Sequence, residues 1–174
     1  SSVTLPATLW FFDKQKPNTD KKDEILFIDA RNVFTQVDRA HRKFSDEQIK
    51  NLGVITKLYH GDTQALTDLI DEYRQNKESA PDNSDDKEVL NKEYWQSQID
   101  WLEERFPDGV YADVIGLCKV ATMDGEDGII DQDYSLNAGR YVGVVIEDDG
   151  LTQEEFKEEM YSLNSEFASL SAEA

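Results

Sequence analysis

Two short apolar runs near the start of the chain, Leu5-Pro6-Ala7-Thr8-Leu9-Trp10-Phe11-Phe12 and Ile25-Leu26-Phe27-Ile28, lack in/out alternation. A strand that is apolar on both faces belongs inside a sheet covered on both sides. The link between them, residues 13–24, carries Pro17-Asn18 and Lys21-Lys22 and reads as a solvated connection. Two strands cannot build that environment alone, because an isolated hairpin is marginal in water. The expectation is therefore a larger sheet N-terminal to residue 1, with this chain as the tail of a longer protein.

After the strands the period becomes helical. Ser45-Asp46-Glu47-Gln48 has the form of a capping box, followed by Ile49, Leu52, Ile55, Leu58 and Tyr59 on one face and Gly61 as the stop. A second helix is expected over residues 62–76, with Leu66, Leu69, Ile70 and Tyr73 inward. A third is expected over residues 87–106, on Leu90, Tyr94, Trp95, Ile99, Leu102 and Phe106, ended by Pro107-Asp108-Gly109. Arg140 to Ile146 has the composition of a short strand. Thr152-Gln153-Glu154-Glu155 is a second capping box. It opens a helix whose Phe156, Met160, Leu163, Phe167 and Leu170 form a narrow seam suited to pairing with another helix. The expected domains are residues 1–44, 45–76, a polar loop at 77–88, a helix with irregular and short-strand structure at 89–150, and the subunit-contact helix at 151–174.

Charge divides the chain at Gly61. Residues 1–60 hold 10 basic and 8 acidic side chains, whereas residues 61–174 hold 8 and 29, for a net charge of −19 over 174 residues. Overall basicity is thus excluded as a route to nucleic acid. One basic concentration survives, Arg39, His41, Arg42 and Lys43 with Arg31 nearby. It is a candidate phosphate contact or else a surface turn with weak ion pairs. The single Cys118 excludes an internal disulfide framework and fits a reducing, cytoplasmic setting. In its apolar surroundings it reads as a small buried hydrophobe. No apolar run approaches bilayer length, so no membrane partner is expected.

Little in the sequence has the pattern of a known chemical site. Four Asp-Gly pairs invite an EF-hand, but Gly128 at loop position 6 puts Met123 at position 1 and Tyr134 at position 12. Placing Gly150 there gives Val145 and Phe156, so both registers fail. Gly-x-Gly and Walker patterns are absent, and neither His41 nor His60 has metal-ligand spacing. No catalytic, cofactor-binding or metal residue is assigned in this chain.

Several segments in order nevertheless carry a resemblance. They are Leu5 to Lys14, Ile25 to Arg31, Val37 to Arg42, Gly116 to Ala121 and Ser135 to Val144. Together they resemble the C-terminal part of the modification subunit of type I restriction-modification systems, adenine-N6 DNA methyltransferases that use S-adenosylmethionine. The resemblance implies an α/β fragment: the terminal antiparallel strand pair of a Rossmann-like methyltransferase sheet, followed by a mostly α-helical C-terminal region. It implies DNA, a specificity subunit that reads sequence and a restriction subunit as partners of the intact enzyme. The family's glycine-containing methyl-donor motif and its Asn-Pro-Pro-aromatic motif have no counterpart here, so this segment is expected to be inactive alone. Arg31, Arg39, His41, Arg42 and Lys43 become candidates for the DNA side, and the terminal seam for the subunit side. One departure is Ala138, where the family has proline before Gly139-Arg140-Tyr141. The alternative, from another class, is an acidic interaction module that mimics DNA.

Overall fold

A computed structural model describes residues 7–39, 41–83 and 89–145. Its elements in chain order are β1 (Glu24–Ile28), β2 (Thr35–Gln36), β3 (Arg42–Lys43), α1 (Asp46–Tyr59), α2 (Gln64–Ser79), α3 (Lys92–Arg105) and β4 (Cys118–Thr122). Single 3-10 turns occupy Lys16–Asn18 and Ala138–Arg140. The architecture is mixed α/β, with two small antiparallel sheets, β1–β4 and β2–β3.

Helix starts follow their capping residues. Ser45 and Gln48 close a full capping box at α1. At the other end Gly61, at φ +87°, lets its own N–H reach the Leu58 carbonyl (2.9 Å) and Asp62 N–H reach that of Lys57 (2.9 Å). This is a Schellman closure, which favours glycine because a Cβ is strained at that φ. The third helix begins at Lys92 rather than residue 87, because the Asn91 side chain accepts the Tyr94 N–H (2.9 Å) and fixes the start there.

The buried stripe of α1 is Asn51, Val54, Ile55, Leu58 and Tyr59, while Ile49 is 56% exposed. The inward face is thus rotated from the expected one to admit a polar residue, Asn51. All four expected inward residues of α2 are buried. The three helices close a main core that includes Ile55, Tyr73, Leu102, Phe106 and Cys118. Cys118 is indeed a buried side chain, and burial pushes its thiol pKa up.

The first strand pair is corrected. β1 pairs not with the 5–12 run but with β4, Ile28 opposite Cys118 and Leu26 opposite Val120. Residues 7–13 have no regular structure, and Leu9, Phe11 and Phe12 are 79–90% exposed. The reason lies in side-chain alternation along the true pair. Leu26, Ile28 and Cys118 face the helical core, while Ile25, Phe27 and Ala121 face a second cluster with Ile129 and Val142. β1 is therefore covered on both faces, as its composition demands, but by this chain's own helices and its 123–142 segment. Arg140 to Val145 is not a strand either. Val142 turns inward and its carbonyl accepts the Gly116 N–H (2.9 Å), closing a loop rather than a ladder. The expected helix at 151–174, with Phe156, Met160, Leu163, Phe167 and Leu170, lies outside the described residues.

Candidate functional site

The basic run forms the β2–β3 hairpin. Gln36 opposes Arg42 and Thr35 opposes Lys43, and all four are exposed. The tip is closed by Val37 N–H to the His41 carbonyl (3.0 Å) and by the Asp38 carboxylate, which accepts His41 N–H (2.9 Å) and contacts its Nδ1 (2.7 Å). Arg42 lies over the Phe34 ring (4.1 Å) and its Nε donates to Gln36 Oε1 (3.2 Å).

Arg31 belongs to a different site. Its Nε donates to both Asp29 oxygens (2.9 and 3.0 Å), Nη2 closes on Oδ2 at 2.5 Å, and its backbone N–H also reaches Oδ1 (3.1 Å). Asp29 is 9% exposed and its N–H reaches the Leu117 carbonyl (2.7 Å). Sequence proximity grouped Arg31 with the hairpin cations; the structure separates it, because its guanidinium is committed to Asp29.

The same place gathers most of the segments that carry the resemblance. Residues 25–31 and 116–121 meet along β1–β4, and Tyr141 stacks on Phe27 (4.3 Å between centroids, 8° between planes). A Cβ on Gly139 would stand 3.5 Å from Arg31 Nη2, so the turn at 138–140 lies against the Asp29–Arg31 pair. Ala138 is the first residue of that turn, with Asn137 capping Gly139 N–H (3.1 Å). Proline is at home in the first position of such a turn, so the alanine there relaxes the loop without redirecting it.

Hydrogen bonds from Arg31 hold the Asp29 carboxyl below the usual carboxylate range. A carboxyl whose pKa falls on folding stabilises the fold fully above its unfolded value, and that contribution is lost as pH drops through the folded one. The stability gap between the native chain and Asp29→Asn is therefore expected to be widest at pH 5–7 and to narrow below about pH 4. Urea midpoints at pH 7 and pH 3 measure it. A gap independent of pH would show that the Asp29 charge contributes nothing.

Open grooves also lie among the described residues, and two of them carry charged side chains. The α2–α3 groove has its cations engaged, Arg74 with Glu103 (2.9 Å) and Asp71 (3.1 Å) and Lys92 with Asp82 (2.7 Å). The other lies along Tyr59, Tyr111 and Glu24, where Lys21 covers the Tyr59 ring (4.4 Å) and approaches Glu24 (3.7 Å). Burial, with Glu24 beside it, pushes the Tyr59 hydroxyl pKa up to about 12. Among the described residues no cluster of His, Cys, Asp or Glu is arranged to hold a metal.

The family model for N-6 DNA methylases matches residues 1–149. The chain is 30% identical over 169 residues to the methylase subunit of the type I restriction enzyme MjaIX of Methanocaldococcus jannaschii, covering 95% of this chain and 22% of that protein. It is 28% identical over 166 residues to the methylase subunit of the type I restriction enzyme HindI of Haemophilus influenzae, covering 95% of this chain and 25% of that protein. The chain thus spans a quarter or less of the length of these relatives. No solved structure matches it.

Proposed function

Since the chain belongs to the N-6 DNA methylase family, we propose that it is the C-terminal segment of the modification subunit of a type I restriction-modification system. The intact subunit transfers the methyl group of S-adenosylmethionine to adenine N6 in DNA, in the cytoplasm, together with a specificity and a restriction subunit. This segment holds no catalytic or cofactor-binding residue. Its part is to complete the methylase domain and to join the subunits, the latter through Phe156, Met160, Leu163, Phe167 and Leu170. The observation that carries the reading is the convergence of residues 25–31, 116–121 and 135–144 on one junction, built on Phe27–Tyr141 and Asp29–Arg31. The exposed Leu9-Trp10-Phe11-Phe12 strip supports it further. An apolar run of that kind calls for a covering partner, and the relatives supply three-quarters of a chain beyond the matched part.

The test is methyl transfer. The full-length subunit with its specificity subunit is expected to place tritiated methyl on adenine N6 of duplex DNA. Calorimetry of the 174-residue chain with S-adenosylmethionine is expected to show no binding. Transfer to another atom, or none, overturns the reading; tight binding by the chain overturns the placement of the donor site. The DNA-mimic alternative is favoured only by the acidic excess of residues 61–174. Competition with duplex DNA for a basic protein, lost on neutralising the acids between Asp124 and Asp133, would establish it instead.

A further inference from the structure

We propose that the β2–β3 hairpin is a contact to the DNA backbone, in which Arg39, Arg42 and Lys43 each bind phosphate oxygens of a duplex without reading its sequence. The inference rests on the reading that this chain works within a DNA methylase.

Acids outnumber bases by 37 to 18 in this chain, so a lysine or arginine easily finds a carboxylate. Among the described residues Lys21, Lys22, Arg31, Lys50, Arg74, Lys92, Arg105 and Lys119 do, whereas Lys14, Lys16, Lys57, Lys77 and Arg140 do not but lie outside the hairpin. Arg39, Arg42 and Lys43 take part in none of the ion pairs among the described residues, although Asp38 stands in the same hairpin with its carboxylate turned to His41. Three cations within residues 39–43, in no ion pair among the described residues, make a local positive point in the field of a strongly acidic chain. Such a point directs a polyanion to one place on the surface.

Geometry then selects the kind of anion. Arg42 and Lys43 are consecutive strand residues, so their side chains leave opposite faces of the hairpin. Arg39 lies in the link between the two strands. Cations splayed in this way do not converge on one small anion; they suit a rod that offers separate phosphates along its length. Arg42 is also held ready, since stacking on Phe34 and the bond to Gln36 fix its guanidinium while it stays exposed.

Chemistry selects against sequence reading. The side chain best suited to an adenine edge is Gln36. Its Oε1 accepts from Arg42, and its Nε2 donates to the Asp38 and His41 carbonyls. What remains outward is the set of groups that position a protein on DNA. Arg31 is excluded from it by its bonds to Asp29.

The experiment uses the assembled methylase complex carrying R39Q/R42Q/K43Q. Affinity for two duplexes of unrelated sequence is measured by fluorescence anisotropy across a salt series. With three phosphate contacts removed, the slope of log affinity against log salt is expected to shrink by about 2–3, equally for both duplexes. K50Q/K119Q removes two comparably exposed cations that are paired with Glu72 and Asp113, and should keep the native slope. A native slope in the triple variant, a loss on one duplex only, or loss of subunit assembly in its place overturns the proposal; the last would mark a contact to acidic protein. Methyl transfer by the unmodified complex is read in parallel. A complex that methylates while the triple variant keeps its slope defeats the hairpin alone, whereas one that never methylates defeats the reading beneath it.

Discussion

Replacing Phe27 with alanine is expected to cost about 3–5 kcal/mol, the range for a buried aromatic reduced to a methyl group. That is comparable to the whole stability of a small domain. Phe27 is 7% exposed and lies face to face with Tyr141. It is also the largest side chain in the second cluster, with Ala121, Ile129 and Val142. Of the other β1 residues, Leu26 and Ile28 point into the helical core, and Ile25, on the same face as Phe27, is the one further β1 side chain packed against the second cluster. The loss should be uneven. Amide exchange is expected to accelerate first in residues 134–143, where the Tyr141 and Val142 turn loses its seat. The α1–α3 core, which packs on the opposite face of β1, should respond less. Chemical denaturation gives the total and hydrogen exchange gives the distribution. A cost under 1 kcal/mol would show that the segments bearing the family resemblance do not depend on this stack.

The helices were legible because their signals are local. Ser45 with Gln48, Leu66 with Leu69, Ile70 and Tyr73, and the Gly61 stop all act within a few residues of one another. The partner of β1 was not legible, since Ile28 and Cys118 are separated by the whole helical unit and nothing near either one names the other. Composition did report that β1 is covered on both faces; what covers it depends on long-range packing. At the candidate site, the basic run is visible in the sequence, but which of its cations are already paired is not. Arg31 and Arg42 look alike in a sequence, and only the neighbouring carboxylate of Asp29 distinguishes a committed cation from an available one. Asp29 itself was missed as a site residue. Its signal was present in the Asp29-Ala30-Arg31 spacing, which lets a carboxylate accept the N–H two residues on.

Asn51 is the other residue that periodicity could not have found, and it sets the second large effect. Asn51 is 2% exposed inside the helical core, with Oδ1 accepting the Tyr73 hydroxyl (2.9 Å) and Nδ2 donating to Gln98 Oε1 (3.0 Å). Tyr73 is fully buried, packs against Trp95 (5.6 Å between centroids), and its hydroxyl also reaches the Glu47 carbonyl (3.2 Å). One side chain thus ties α2 to α1 by polar bonds while its ring fills the space before α3. Tyr73→Ala removes both contributions, and we expect a loss of about 3–5 kcal/mol from the cavity, with about 1–3 kcal/mol more from the Asn51 oxygen left without its partner. Tyr73→Phe separates the two. It keeps the ring and removes only the hydroxyl, so its cost should stay near 1–3 kcal/mol. In the background Asn51→Ala, the same Tyr73→Phe change should cost less, because the acceptor it strands is already gone. Urea denaturation of the four variants closes that cycle. Equal costs of Tyr73→Phe in both backgrounds would mean that the bond between α1 and α2 is incidental, and that the ring alone holds the helices together.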